Sequence, residues 1–165
     1  MKTAVVFYTY DGSTGVAAQA LAVKLGADIF ELKEKRQRSK SPMTFVSGGF
    51  AAGLGLKSRL QDSFASRMGE YERILIGTPI WASHPVPAVN AFVKQFDPTG
   101  KQVMVFLVQA DPNPAEKGLE KLNAVIRKKG GTLLPPMRLH GDAPGKTASK
   151  EHIGAQIEQK LRILE

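Results

Sequence analysis

The sequence contains no cysteine. Disulfide bonds, thiol nucleophiles, cysteine-ligated iron–sulfur clusters and thiolate zinc sites are therefore all excluded. Any redox chemistry in this chain would have to come from a bound cofactor.

Long hydrophobic runs are also lacking. The first apolar run, Ala4-Val5-Val6-Phe7, is shorter than the core of a signal peptide and much shorter than a membrane span. We therefore expect a cytoplasmic protein. His140 and His152 have no partner at metal-ligand spacing, and the sequence shows no carboxylate–histidine cluster, so we expect no metal site.

The 165 residues show repeated alternation of strand and helix patterns with no long linker. This alternation predicts one α/β domain over residues 1–165, with an open parallel sheet and helices on both faces. Its ligand should lie at the carboxyl ends of the strands. The predicted strands are 3–9, 27–32, 72–77, 102–108 and 132–139. Thr78-Pro79 should end the third strand, and two prolines make the last one an edge strand. The predicted helices are 14–25, 86–93, 114–129 and 149–164, and residues 33–64 should form a loop with a loose helix.

The loop between the first strand and the first helix, residues 9–14, has the composition of a phosphate site. Backbone N–H groups and the hydroxyls of Thr9, Ser13 and Thr14 can converge there on an anion at a helix N-terminus. The loop has neither the lysine of a Walker loop nor the glycine fingerprint of dinucleotide binders. A monophosphate held by neutral donors fits this pattern best.

Two motifs together resemble the flavodoxin family over nearly the whole chain. One is the N-terminal strand-[Ser/Thr]-x-x-Gly-x-Thr-helix pattern, and the other is Ile-Gly-Thr-Pro-Ile-Trp at 76–81. The resemblance implies a three-layer α/β/α fold, a five-stranded sheet of order 2-1-3-4-5, and FMN as cofactor. The residues that it places at the cofactor are Thr9, Tyr10, Asp11, Gly12, Ser13 and Thr14 in the first loop, Thr78, Pro79, Ile80, Trp81 and Ala82 after the third strand, and Ala110 after the fourth.

Two positions depart from the family pattern. Asp11 stands where most flavodoxins have a hydroxyl residue, and its carboxylate would repel a phosphate unless it turns to solvent or caps the helix. The Thr-x-Asp-Gly-x-Thr loop is also similar to that of flavodoxin-like protoporphyrinogen oxidases. The segment 109–114 is stiffer and has less glycine than the corresponding loop in short flavodoxins.

The resemblance implies an FMN-binding redox protein, either an electron carrier or an NAD(P)H-dependent flavin reductase. The net charge of +8 favours an acidic redox partner or an anionic substrate, such as a phosphorylated nicotinamide nucleotide or a carboxylated porphyrin. The alternative is a flavodoxin-fold binding or scaffold module that has lost FMN. Nucleic-acid binding would rest only on the basic cluster Lys33, Lys35, Arg36, Arg38 and Lys40, and is the weaker hypothesis.

Trp81 and His84 each have two possible roles. Trp81 either contacts a flavin or packs in the core, and His84 is either a proton donor to the flavin or a surface residue. No catalytic residue is assigned from the sequence.

Overall fold

A computed structural model describes residues 1–36, 57–110, 116–143 and 146–161. Most of the expected loop and loose helix, part of the 33–40 basic cluster and most of the 109–114 loop lie outside the described residues. Within the described part, no helix is long and apolar enough to cross a membrane.

The strands form a mainly parallel sheet. They are β1 Thr3–Phe7, β2 Asp28–Glu31, β3 Arg73–Trp81, β4 His84–Pro85, β5 Gln102–Gln109, β6 Thr132–Leu133 and β7 Met137–His140. The sheet order is β2-β1-β3-β5-β6, and β7 also pairs with β5. Since β6 and β7 are two pieces of one edge strand interrupted by Pro135 and Pro136, the expected order 2-1-3-4-5 is confirmed.

The third strand is longer than the sequence predicted. The expectation that it ends at Gly77 is wrong, because Thr78 and Pro79 stay in parallel register with Leu107 and Val108 of β5. Pro79 removes one backbone donor, but its neighbours keep the pairing. Beyond it, β3 turns back as a short antiparallel hairpin with β4, which places Trp81 opposite His84.

The helices cover both faces of the sheet, as expected. They are α1 Ser13–Leu25, α2 Pro87–Gln95, α3 Glu116–Lys128 and α4 Lys150–Lys160, and a short 3-10 helix spans Ala65–Glu70. Successive strand residues point to opposite faces, so β1 sends Val5 into one core with α1 and α4 and Val6 into the other with α2 and α3. The three-layer α/β/α arrangement is confirmed.

Close contact between α3 and the hairpin turn fixes the position of the β3–β4 hairpin. A Cβ atom at Gly118 would lie only 2.5 Å from the carbonyl oxygen of Ser83. Any side chain at this position would therefore push helix and hairpin apart. The absence of a side chain at Gly118 lets α3 hold the end of β3 at the edge of the sheet where a ligand is expected.

Candidate functional site

A cavity of about 170 Å³ lies at the carboxyl ends of the strands. The first loop, the end of β3, the end of β5 and the residues after β7 all contribute to it. Its described lining residues are Asp11, Ser13, Thr14, Pro79, Ile80, Trp81, Ala82, Val108, Gln109, Ala110, Gly141 and Asp142. The sheet edge chosen from the sequence is therefore where the cavity is found.

The structure brings most of the sequence-predicted residues together in this cavity. Among the predicted set, Thr9, Tyr10, Gly12 and Thr78 are not among its described lining residues. Conversely, sequence analysis missed Val108, Gln109, Gly141 and Asp142. A signal existed for the last two, since they follow the fifth strand and parallel strands end at one edge of the sheet.

Asp11 caps the first loop instead of turning to solvent. Its Oδ1 accepts a hydrogen bond from the Ser13 N–H at 3.0 Å. Gly12 has a φ of 99°, and its N–H donates to Thr9 Oγ1 at 3.1 Å. A phosphate in the loop would have to compete with the Asp11 carboxylate for the Ser13 N–H.

Thr14 has a buried hydroxyl group at the start of α1. The residue is 1% exposed, and among the described residues its Oγ1 has no hydrogen-bond partner. A buried hydroxyl without a partner is destabilising by about 1–3 kcal/mol. Since Thr14 also lines the cavity, its hydroxyl is suited to bind a ligand atom there.

The N-terminal end of α1 suits an anion for a second reason. The first intrahelical bond runs from Val16 N–H to Gly12 O at 3.0 Å. The N–H groups of Thr14 and Gly15 belong to the first turn, where no preceding helical carbonyl can accept from them. The first turn holds no acidic residue, so the positive end of the helix dipole is not neutralised from within the helix.

Ser13, by contrast, uses its hydroxyl for structure. Ser13 Oγ donates to Lys146 O at 3.2 Å and accepts from Ala148 N–H at 3.0 Å. The Thr147 hydroxyl also donates to Asp11 O. These bonds fasten segment 146–148 onto the first loop, so the Ser13 hydroxyl is already engaged before any ligand binds.

Thr78 has a similar structural role. It is fully buried, and its hydroxyl donates to Pro79 O at 2.8 Å and accepts from Val86 N–H at 3.3 Å. The side chain thus ties the end of β3 to the segment that leads into α2.

Trp81 is a core residue that also reaches the cavity. It lines the cavity, yet only 6% of its surface is exposed. Its ring packs edge-on against Tyr8 at 6.3 Å and against Tyr10 at 5.5 Å. The aromatic cluster holds the indole firmly, so only a small part of the ring can meet a ligand.

The hairpin turn after Trp81 is strained. Ala82 and Ser83 have φ values of 47° and 64°, in the left-handed region that non-glycine residues seldom adopt. His84 Nδ1 donates to Ala82 O at 2.7 Å, which closes the turn. His84 does not belong to the described lining of this cavity.

The charges in the cavity are negative. Asp11 and Asp142 are its only charged residues among the described lining, and no lysine or arginine occurs there. A phosphate would therefore be held by neutral N–H and hydroxyl donors, as the sequence suggested. The cavity is also smaller than the roughly 300–1,000 Å³ of most ligand pockets, so FMN would have to extend beyond it.

Within the described ranges, no group of three or more His, Asp or Glu side chains is arranged to hold a metal ion.

Known proteins resemble this chain both in sequence and in structure. The family model described as Flavodoxin matches residues 2–142. A putative flavoprotein of Bacteroides uniformis has a similar structure, with 20% identity, a TM-score of 0.75, and coverage of 95% of this chain and 97% of that chain. Comparison with curated protein sequences gives no match.

Two further structures have the same fold. A flavoprotein of Lactobacillus acidophilus in complex with FMN has 18% identity and a TM-score of 0.68, covering 83% of this chain and 92% of that chain. Oxidised flavodoxin 1 of Bacillus cereus has 15% identity and a TM-score of 0.62, covering 99% and 97%. At these identities the structures establish the fold.

Proposed function

Because this chain belongs to the flavodoxin family, we propose that it is an FMN-binding redox protein with its phosphate site at the start of α1. FMN, when bound, supplies one- or two-electron chemistry, and the protein supplies binding, orientation and electrostatics.

The observation that carries this proposal is the buried hydroxyl of Thr14. Its Oγ1 has no partner among the described residues, and it stands in the first turn of a helix whose N–H groups favour an anion. The phosphate of FMN would accept from this hydroxyl and from the N–H groups of Thr14 and Gly15. The flavin ring would lie against Ile80, Trp81 and the end of β5, which line the same cavity.

The net charge supports a particular kind of partner. At +8 the chain would attract an acidic redox protein or an anionic small substrate. We propose either an electron carrier for such a protein or an NAD(P)H-dependent flavin reductase. Anaerobic mixing of the FMN-loaded protein with NADPH separates the two, because only a reductase would lose its yellow colour rapidly.

The first test is titration with FMN, followed by the visible spectrum and by the fluorescence of Trp81, the only tryptophan. Thr14→Val keeps the shape of the side chain and removes the hydroxyl. We expect FMN affinity to fall about tenfold or more, as for loss of a hydrogen bond to a charged group. The stability of the free protein in urea should not fall, because Thr14 Oγ1 has no bond to lose.

The matched control is Ser13→Ala in the same turn. Its hydroxyl holds segment 146–148, so this variant should lose stability. Equal FMN affinity in Thr14→Val and the unaltered protein would refute the assignment of the phosphate site.

A flavin-free binding module is the second candidate, and specific observations favour it. Asp11 occupies a loop N–H, Asp142 adds a second carboxylate, and the cavity is small. Absence of FMN binding at tens of micromolar, about the weak end of useful cofactor affinity, would make this candidate the better one.

A further inference from the structure

A second, larger cavity lies between α2, α3 and the β3–β4 hairpin. Its volume is about 420 Å³, within the range of small-molecule sites. It shares no described lining residue with the first cavity. We call it the α2–α3 groove; its described lining is Lys57, His84, Pro85, Asn90, Val93, Lys94, Gly118, Lys121, Leu122, Val125, Lys128 and Lys129.

The groove has an apolar floor. Val93 and Leu122 are nearly fully buried, and Val125 remains 43% exposed. Pro85 of the hairpin extends this apolar surface. An exposed valine beside buried apolar side chains gives a ligand hydrophobic surface to cover.

The rim of the groove is positive. Five lysines line it, and no Asp or Glu occurs among its described lining residues. The Lys129 ammonium is already bonded to the carbonyls of Val93 at 3.1 Å and Lys94 at 3.0 Å, at the end of α2. The other four lysines make no ion pair with a described residue.

The nearby carboxylates of α3 are directed to arginines. Glu120 pairs with Arg127 at 3.4 Å, and Glu116 pairs with Arg138 at 2.7 Å. Neither carboxylate belongs to the described lining of the groove. Among the described carboxylates, Asp97 lies close enough to Lys129 for the two charges to interact, and none forms an ion pair with the other four groove lysines.

Two of the lysines lie close enough to affect each other. The pKa of the Lys57 ammonium is below its ordinary value, chiefly through its contact with the Lys94 side chain, with burial and charge repulsion adding to the effect. A bound anion would relieve the repulsion between the two side chains.

We propose that the α2–α3 groove binds a small organic anion with an apolar, ring-sized body and two or more carboxylate or phosphate groups. The floor contacts the apolar body, and the ammonium groups of lysines from both helices donate hydrogen bonds to the charged groups. A second copy of the chain is a poor occupant, because pairing of two identical grooves would bring the lysines of both copies together. This site does not depend on FMN binding at the first cavity.

The test uses naphthalene-2,6-dicarboxylate as the probe, with its fluorescence followed in the presence and absence of saturating FMN. We expect it to bind, and its uncharged dimethyl ester to bind much more weakly. Naphthalene-2,6-diyl bisphosphate, compared at equal concentration, shows whether carboxylate or phosphate is the preferred charged group. Equal binding of the ester would overturn the role of the lysines, and equal competition by inorganic phosphate would overturn the role of the apolar floor.

Variants locate the probe. Lys94→Gln and Lys121→Gln should each weaken binding about two- to fivefold, as expected for an exposed ion pair. Lys117→Gln is the matched control, since Lys117 is exposed on α3 but is not part of the described lining. An equal loss in Lys117→Gln would show that only overall charge matters and would refute the site.

The apolar floor is tested with a pair of exposed valines. Val125→Ser should weaken probe binding, and Val23→Ser, at an 83% exposed position on α1, should not. Tighter binding of hexaglutamate than of the naphthalene probe would overturn the proposal in favour of an acidic protein segment. FMN affinity should stay unchanged in all these variants, which separates this site from the proposed flavin site.

Discussion

Asp11→Asn should increase FMN affinity, because it removes a negative charge beside the proposed phosphate site. Asp11 Oδ1 accepts from Ser13 N–H at 3.0 Å, so its negative charge lies next to the N–H groups that would bind a phosphate. The asparagine amide oxygen can keep the same cap in the free protein. The substitution therefore removes the charge and preserves the loop.

The size of the effect follows from the charges. If the carboxylate turns away to about 6 Å from a phosphate with about two negative charges, an effective dielectric constant of about 40–80 gives roughly 1.5–3 kcal/mol of repulsion. Removal of the charge should lower the Kd for FMN about ten- to hundredfold at low ionic strength. The gain should shrink at about 1 M salt, where charges are screened over about 3 Å.

The assay is titration of Trp81 fluorescence with FMN at low and high salt. Asp142→Asn is the matched control: it removes one carboxylate from the same cavity, but that carboxylate makes no hydrogen bond to the described part of the first loop. We expect a smaller gain in Asp142→Asn. Unchanged or weaker FMN binding in Asp11→Asn at low salt would refute the reasoning.

Three further predictions concern stability and are read from urea unfolding midpoints. Ser13→Ala should lower the free energy of unfolding by about 1–3 kcal/mol, because it breaks the bonds to segment 146–148; an unchanged midpoint would contradict those bonds. Ser83→Gly should stabilise the protein by about 0.5 kcal/mol, because it relieves a φ of 64° at the hairpin turn, whereas Ser83→Val should destabilise it. Burial, followed by the hydrogen bond to Asp28, raises the pKa of Tyr71 above its ordinary value of 10.0. The folded state therefore holds the phenol proton of Tyr71 more tightly than the unfolded state does. The resulting contribution to stability is complete below about pH 10 and is lost at higher pH. Tyr71→Phe should therefore flatten the decline in stability above about pH 10, and an equally steep decline would show that other groups cause it.

Much of the fold could be predicted because its signals are local. Apolar runs, helical spacing and glycine turns located β1, β5 and the four helices to within a few residues, and Pro135-Pro136 indicated the broken edge strand. The predicted end of β3 was wrong because proline is a local signal, whereas the pairing of β3 with β5 as far as Val108 depends on a strand that is distant in the sequence.

The sequence predicted the edge of the sheet at which the cavity lies, but not the role of each side chain there. The first loop was identified as a unit, but its three hydroxyls have different roles in the structure. Thr14 lies buried without a described partner, Thr9 accepts from a loop N–H, and Ser13 is bonded to segment 146–148. Residue types and spacing could not separate these roles, because the partner of Ser13 is 133 positions away in the chain.

The sequence by itself determined the alternating α/β order, the absence of thiol chemistry and the loop that can receive an anion. These properties follow from composition and from periodicity over a few residues, and neither depends on tertiary packing. Tertiary structure alone decided that Trp81 is held by two tyrosines and that the lysines of α2 and α3 share one groove. Each of these depends on which helix and strand faces meet, and that is fixed only when the two cores on either side of the sheet are closed.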